Sequence, residues 1–395
     1  MPYVVDPTNP AAPTDADPAE QGQAELRALK GYLQGLLPVS LSSMNFLRRN
    51  KVINGNMRFD QRNEGAAVAL AGAGVATYVV DKFVGYKIAA ATVTGQQASV
   101  TLANGSTNSC NIITTVGAPS GAAEIAGLTT PLEGYDIAEL QWGTANAVAI
   151  SVSFVVSAPV TGTYALAIRN ATKTRSYIAP FAVNIANTAQ VITINNIPGC
   201  TDGVWNHVNN LGIELFFDLG SGTNFEAVAA SAWQAGNFTR VAGYAKPQNA
   251  AGTFKLTNLQ FERGAAASLF EILPQSLQQS LVERYYEKTY NIGTTPGTVI
   301  TTDGAVMTLQ VAATNPVLMW RYRSVKRTVP TITTYNTTTG ASAQMRNSNG
   351  NDCTATAPIV GFTSDQETII SATAAAGAAS GQYNTLHLTA ECDLL

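Results

Sequence analysis

The sequence has few charged residues, few histidines and no basic tract. Of its 395 residues, 12% are Asp, Glu, Lys or Arg, about half the usual share. The net charge of −3 and the lack of any basic tract longer than the small cluster Arg48-Arg49-Asn50-Lys51 argue against nucleic acid as a partner. No run of ~18 apolar residues occurs, so no membrane insertion is expected. The start Met1-Pro-Tyr-Val-Val has neither a basic nor an apolar leader segment, which predicts synthesis in the cytoplasm without a signal peptide.

Cysteine is scarce and widely spaced. Cys110, Cys200, Cys353 and Cys392 form no C-x-x-C pair and no metal-ligand spacing, and a chain of this size needs no disulfide to fold. We expect free thiols within the structure. The sequence also has no calcium-binding D-x-D-x-D-G loop and no phosphate-binding loop, so neither a metal nor a cofactor is predicted.

What the chain has in place of charge is Thr, Asn, Ser and Gln, which favours strands and turns. Between Val52 and Phe270, short runs alternate apolar and smaller residues, with turn signals between them. Examples are Val148–Val156, Tyr164–Ile168 and Leu211–Phe217, the last interrupted by Gly212. About 200 residues of this kind predict one antiparallel sandwich or barrel.

Residues 1–50 differ from the rest. Prolines mark an extended arm, and a helix follows it with leucines spaced three and four residues apart. Two interpretations are open: the helix docks on its own protein, or identical helices form a short bundle in an oligomer. The leucines that would make this contact are Leu26, Leu29, Leu33 and Leu36.

Residues 256–286 mark a change of architecture. Phe254, Leu256, Leu259 and Phe261 predict a strand with an irregularity at Asn258, and Pro274 suits the start of a helix over 275–290. Leu277, Leu281 and Tyr285 share one face of that helix and are candidate oligomer contacts. Beyond it a second β region reaches Leu395, with strands predicted at Val306–Ala312, Pro316–Tyr322, Thr328–Tyr335, Pro358–Phe362, Thr368–Thr373 and Tyr383–Asp393.

No residue pattern predicts catalysis. His207 and His387 lack a nucleophile elbow, and a structural role is expected for both. A glycosidase would need two carboxylates ~5–10 Å apart in a cleft. The acids considered for that role are Glu133, Asp136, Glu139, Glu214 and Asp218; they lie at turns and strand edges, where solvated side chains are the rule.

Sugar binding needs an exposed aromatic ring with hydrogen-bonding side chains beside it. The candidates are Trp205 with Asn206, Trp233 with Asn237, and Tyr177 with Arg175. Trp142 and Trp320 lie in apolar, strand-like contexts and are expected in the core.

Three motifs resemble those of a domain found in bacteriophage tail-fibre and related virion proteins. Ile53-Asn-Gly-Asn-Met-Arg-Phe-Asp-Gln-Arg62 is similar to its "ING(D/N)F..WQRG" opening, and Tyr78-Val-Val-Asp-Lys-Phe83 to its "Y.aDrW" motif, with Phe83 where Trp is usual. Leu259-Gln-Phe-Glu-Arg-Gly264, Ser268-Leu-Phe-Glu271 and Glu283-Arg-Tyr-Tyr286 resemble its closing "vQLE.G..aTpFE…..CqRYY", with Leu269 in place of the usual Pro. The match covers residues 52–290.

The resemblance implies a jelly-roll sandwich like that of carbohydrate-binding modules, carried in a virion appendage that is usually trimeric. The fold expected is mainly β: an antiparallel jelly-roll β-sandwich plus a smaller C-terminal β-sandwich, with an N-terminal helix and a helical joint. The predicted domains are the arm and helix at 1–50, the sandwich at 51–272, the connecting helix at 273–291 and the C-terminal β domain at 292–395.

These features predict a non-enzymatic component of a phage virion, a tail fibre or other appendage. It would attach to other virion proteins through residues 1–37, form a homotrimer and present β domains to a host-surface glycan. Two alternatives stay open at this stage. One is a depolymerase tailspike that cleaves host polysaccharide, and the other is a head-decoration or connector protein that binds only other virion proteins.

Overall fold

Strands dominate the fold, as the period-two patterns predict. The computed structural model describes residues 48–395 except 73, 103–105, 312–314 and 356–361. The strands of the first β region are β1 (Val68–Ala69), β2 (Thr77–Val80), β3 (Phe83–Tyr86), β4 (Thr92–Leu102), β5 (Ser106–Val116), β6 (Gly127–Glu133), β7 (Ile150–Ser157), β8 (Gly162–Asn170), β9 (Arg175–Val183), β10 (Gln190–Ile197), β11 (Leu211–Asp218), β12 (Glu226–Ala227), β13 (Trp233–Ala235), β14 (Arg240–Val241) and β15 (Gly252–Arg263).

The second β region contains shorter strands. They are β16 (Tyr286–Lys288), β17 (Val306–Leu309), β18 (Val317–Arg321), β19 (Thr331–Asn336), β20 (Gln344–Asn347), β21 (Asp352–Ala355), β22 (Glu367–Thr373) and β23 (Tyr383–Glu391). Within the described residues the helices are the single turn α1 (Gly134–Ile137) and α2 (Gln275–Glu283), with 3-10 turns at Ala138–Leu140, Thr223–Phe225 and Pro247–Asn249.

Two antiparallel sheets form the predicted sandwich. One has the strand order β1-β4-β5-β15-β7-β10 and the other β13-β9-β8-β11-β6-β3-β2. Alternation along β8 shows how the sequence sets the two faces: Tyr164, Leu166 and Ile168 enter the core between the sheets, whereas Ala165 and Ala167 lie on the outer face. Trp142, which we expected in the core, is 1% exposed there. The mainly β, jelly-roll prediction is confirmed.

Both strand irregularities that the sequence indicated are present. Asn258 has a φ of 50°, and the register of β15 against β7 shifts between Thr257 and Gln260. The register of β11 against β6 shifts beside Gly212, where a Cβ atom would lie 2.8 Å from the Ile137 side chain. These bulges change the direction of the strand locally without breaking the sheet.

The second β region has a sheet of its own, in the order β16-β23-β20-β21-β22-β18, with β17 and β19 also pairing with β23. Thr308 of β17 donates a hydrogen bond of 2.7 Å to the Val317 carbonyl of β18, so the sheet curls towards itself. Leu386, Leu388 and Ala390 of β23 are buried inside the curl together with Trp320, which we expected in the core. The sequence did not reveal β20 and β21, and most of the strand predicted at Pro358–Phe362 lies outside the described residues.

The connecting helix is shorter than predicted, and this corrects the position of Tyr285. Helix α2 ends at Glu283, and β16 begins at Tyr286, where it pairs with Glu391 of β23. Tyr285 is 1% exposed within the chain, so it is not available as a contact to a second copy. Leu281 is partly buried beside it, and Leu277 remains 46% exposed. The apolar spacing continues past the end of the helix because Tyr285 is buried by its contacts with Glu133 and Lys82.

The two β regions belong to one compact unit, Asn50–Leu395. Cys110, Cys200, Cys353 and Cys392 are buried and unpaired, as expected. No helix in the described part of the chain is long and apolar enough to cross a membrane. Leu26, Leu29, Leu33 and Leu36, and the predicted attachment segment 1–37, lie outside the described residues.

Candidate functional site

Four of the predicted sugar-contact residues meet at the β9–β13 edge of the second sheet. Trp233 on β13 is the direct cross-strand partner of Tyr177 on β9, and Arg175 pairs with Ala235 two residues further on. The ring of Trp205 lies 5.5 Å from that of Trp233, centroid to centroid. These four residues, which the sequence suggested separately, are therefore neighbours in the folded chain.

The aromatic rings are used mainly to pack on one another. Trp142, Trp205 and Trp233 stand edge-to-face, with centroids 4.9–5.5 Å apart. Trp205 is 7% and Tyr177 6% exposed, so their faces are not open to a sugar, and the expectation of exposed rings is not met at these two positions. Trp233 is only partly buried, and its indole N–H is satisfied by the Pro198 carbonyl at 2.8 Å. Trp233 is thus the ring of this set that retains solvent-accessible surface.

The polar candidates have structural partners. Asn206 donates to the Leu211 carbonyl at 2.8 Å, and Asn237 accepts from Arg169 at 2.7 Å. Arg175 forms a two-pronged ion pair with Asp202, at 2.9 and 2.7 Å. The hydrogen bonds from Arg175 lower the pKa of Asp202, so the pair stays charged at the surface beside Trp233.

Two of the carboxylates considered for hydrolysis, Glu214 and Asp218, are held by cations. Glu214 contacts Arg169 at 3.0 Å and also Lys173, and Asp218 contacts Arg240 at 3.3 Å. Glu214 and Asp218 are four residues apart on β11, which places them about 13 Å apart at ~3.3 Å per residue. That separation exceeds the ~5–9.5 Å of glycosidase carboxylate pairs.

The two histidines, His207 and His387, differ in burial. His387 is fully buried, stacks on Tyr290 at 3.8 Å between centroids, and its Nε2 lies 2.9 Å from the Ile300 carbonyl. Burial lowers its pKa, which favours the neutral ring. His207 is partly buried in the loop before β11. In the described residues no group of three or more His, Cys, Asp or Glu side chains could hold a metal ion.

The fold also assembles a largely buried polar region that the sequence patterns do not indicate, and we call it the joint. Its centre is Arg62, whose guanidinium lies between the rings of Tyr78 and Tyr286, 4.2 and 4.1 Å from their centroids. The same group donates to Asp81 at 2.7 Å and to Glu391 at 2.7–3.1 Å. Burial alone would lower the pKa of Arg62, but the surrounding carboxylates outweigh it and raise the pKa above its usual value.

A second set of contacts lies beside Arg62. Lys82 pairs with Asp393 at 2.6 Å and lies 3.4 Å above the ring of Tyr285. The Tyr285 hydroxyl donates to Glu133 at 2.5 Å, and Arg284 binds the same carboxylate at 2.6 and 3.0 Å. Tyr285 is therefore buried by contacts within its own chain, although it lies beyond the end of helix α2.

Backbone packing completes the joint. Gly55 accepts a hydrogen bond from the Leu259 amide at 2.9 Å, next to the Asn258 bulge. A Cβ atom at Gly55 would lie 2.1 Å from the Leu259 carbonyl oxygen, so only glycine fits. Asn54 donates to the carbonyls of Phe59 and Asp81, at 2.7 and 2.9 Å. The opening, middle and closing motifs quoted above are thus distant in sequence and joined in space.

Comparisons with known proteins identify no family for the chain. No protein-family model matches it, and no curated protein matches it. Among solved structures, an arabinose-bound α-L-arabinofuranosidase matches at 10% identity with a TM-score of 0.28, covering 57% of this chain and 29% of its own. The enzymatically active domain of bacteriophage CBA120 tailspike protein 4 matches at 10% identity with a TM-score of 0.27, covering 55% and 22%.

A family 11 carbohydrate-binding module from Clostridium thermocellum, in complex with a beta-1,3-1,4-mixed-linked tetrasaccharide, also matches. It has 12% identity and a TM-score of 0.25, and the alignment covers 51% of this chain and 98% of the module. The chain thus spans less than a third of the arabinofuranosidase and the tailspike. TM-scores this low carry no argument about what the chain does.

Proposed function

We propose that the chain is a non-enzymatic structural component of a bacteriophage virion, a tail fibre or other external appendage. It attaches to other virion proteins through residues 1–37, associates as a homotrimer and presents its β regions to a glycan on the host surface. The observation that carries this proposal is the joint. The residues that resemble a virion-protein domain are the ones that the fold brings together.

Three features of the joint support a mechanical role. Arg62, Tyr78 and Tyr286 come from the three separate motifs, and the Arg62 guanidinium contacts both tyrosine rings. Glu391 and Asp393, at the end of the second β region, receive the cations of the first. A protein that transmits force between a particle and a cell needs its parts coupled, and a buried network of aromatic rings and ion pairs provides that coupling.

The glycan would contact the β9–β13 edge. Of the predicted aromatic residues, one contacts the sugar and the other two support it. Trp233 offers the sugar-facing ring, flanked by the charged pair of Arg175 and Asp202. Tyr177 and Trp205 pack against the ring of Trp233 and fix its position. Aromatic faces pack on the apolar C–H surface of sugars, while charged side chains receive the hydroxyls.

The test uses the purified, fluorescently labelled full chain and cells of the bacterium that the phage infects. We expect the chain to bind these cells, binding to fall after periodate oxidation of surface sugars, and no reducing ends to be released from isolated host polysaccharide. Trp233→Ala should weaken binding, whereas Tyr135→Ala, at a 60% exposed tyrosine on the single turn α1, should not.

Two results would contradict the proposal. Release of reducing ends would show a depolymerase, and a chain that binds no host cell but binds purified phage capsids would be a head-decoration protein.

A further inference from the structure

A cleft on the second β region has the shape and chemistry of a small binding site. Its volume is about 240 Å³, and it is lined by Thr301, Thr338, Arg346, Ser348, Tyr383 and Thr385, among others. Tyr383 is 47% exposed, and Thr301, Thr338 and Ser348 are exposed as well. The cleft therefore combines one accessible aromatic ring with several hydroxyl groups. Its volume lies below the ~300–1,000 Å³ of sites for drug-sized molecules.

The floor of the cleft is fixed by a buried polar network. Asn347 is 1% exposed, and its amide donates to Asn384 at 3.0 Å and to Gln310 at 3.4 Å. The Thr337 and Thr385 hydroxyls lie 2.9 Å apart. Because buried polar groups that satisfy one another hold a single arrangement, the floor is preorganised.

The walls are anchored too. Ser348 donates its amide to the Tyr383 carbonyl at 2.8 Å, and Tyr383 donates its amide to the Ser348 hydroxyl at 3.3 Å. On the opposite side, His387 contacts the Ile300 carbonyl at 2.9 Å, immediately before Thr301. The buried His387 thus positions the loop that carries one wall.

The charge of the cleft is balanced internally. Arg346 donates to Asp352 at 2.6 Å, and Asn336 donates to the same carboxylate oxygen at 2.8 Å. The hydrogen bond from Arg346 lowers the pKa of Asp352, so the pair is ionised at neutral pH and its charges cancel. A guanidinium has five N–H donors, and this contact uses one of them. A neutral ligand rich in hydroxyl groups fits this surface better than an anion does.

We propose that this cleft binds one neutral sugar unit of a glycan, with the apolar face of the sugar ring on Tyr383 and its hydroxyls on Thr301, Thr338, Ser348 and Arg346. The inference rests on the proposed glycan binding and adds a second contact site to it. The ligand of this second site is an uncharged hexose unit. Hydrogen-bonding hydroxyls under a single aromatic ring give selective but weak binding, which suits an appendage with several copies per particle.

The test is saturation-transfer difference NMR on the full chain with methyl glycosides of glucose, galactose, mannose and N-acetylglucosamine, and with methyl glucuronide as the anionic probe. We expect saturation transfer to at least one neutral glycoside and a fitted affinity at least about tenfold lower in Tyr383→Ala, since loss of ring stacking removes on the order of 1.4 kcal/mol. Tyr135→Ala is the matched control and should bind like the wild type. Tyr383→Phe, which keeps the ring, should retain most of the affinity.

Thr338→Arg provides a second variant in case Tyr383→Ala does not fold. It places a long side chain into the cleft from an exposed position, and saturation transfer should disappear while the thermal unfolding curve stays unchanged. The inference is overturned if no neutral glycoside shows transfer, if transfer persists undiminished in both cleft variants, or if the glucuronide binds more tightly. Should the chain bind host cells in spite of such a result, the proposed function stands without this site.

Discussion

Replacing Arg62 with alanine removes the cation that joins all three motifs to the second β region. Its side chain is 11% exposed, and Asp81 and Asp393 beside it are 0% and 1% exposed. Removing one partner of a buried ion pair costs about 3–5 kcal/mol, because the remaining charge stays buried without compensation. Lys82 still neutralises Asp393 in the variant, so the deficit falls mainly on Asp81.

Two stacked rings add to that loss. Each cation–π contact contributes about 0.5–2 kcal/mol, depending on how far it is shielded from water. We therefore expect Arg62→Ala to lower the free energy of unfolding by at least about 4 kcal/mol, measured by urea denaturation followed by tryptophan fluorescence. Arg62→Lys keeps the charge but loses the planar group and its paired hydrogen bonds, so its loss should be intermediate.

Arg321→Ala is the control for this prediction. Arg321 pairs with Glu367 at 3.3 Å, but its side chain is 73% exposed, and surface pairs of this kind contribute at most about 1 kcal/mol. If Arg62→Ala destabilises the protein no more than Arg321→Ala does, the joint is not the structural centre that we describe.

Three further predictions concern the same region and the core. Gly55→Ala should cost more than about 2 kcal/mol of unfolding free energy because its Cβ meets the Leu259 carbonyl, whereas Gly72→Ala, with no atom within 4 Å of its Cβ, should be nearly neutral in the same urea assay. Burial raises the pKa of Asp60 to about 7. This pKa lies above that of Asp60 in the unfolded chain, so the folded state binds the proton more tightly. The stability that Asp60 contributes is therefore fully present below pH ~4 and is lost as the pH rises to about 7. Asp60→Asn should therefore make the unfolding free energy less dependent on pH across that window, and an unchanged slope would contradict the assignment. The four buried thiols should not react with Ellman's reagent in the native protein and should all react after unfolding, and burial raises the pKa of Cys200 to about 11 in keeping with this; rapid labelling of the folded chain would contradict it.

The sequence predicts the fold well where local pattern and burial agree. Tyr164, Leu166 and Ile168 alternate with small residues because β8 is covered on both faces, and the strand was placed correctly. The break in the period-two pattern between Leu256 and Leu259 predicts an irregularity at Asn258, and asparagine tolerates the positive φ of that bulge better than most residues. The short strands β20 and β21 contain Arg, Asn, Asp and Thr, whose pattern does not distinguish a polar strand from a loop.

The candidate sites were less predictable from sequence. The sequence indicates which aromatic residues are present but not how many of them gather at one place. Trp142, Trp205 and Trp233 are up to 91 positions apart and bury one another, so Trp205 lost the exposure that a sugar contact needs. Arg62 belongs to the opening motif, yet its partners Glu391 and Asp393 lie more than 300 residues away. Charged residues at that separation are matched only by the folded topology.

We propose that this chain is an external appendage of a phage particle. Cryo-electron microscopy of purified particles, compared with particles whose copy of the chain carries a C-terminal fusion tag, tests it most directly. We predict density on the tail or another external projection that accommodates three copies of residues 50–395, with extra density at the tag. Particles that lack the chain, or that carry it only on the capsid lattice, would contradict the account.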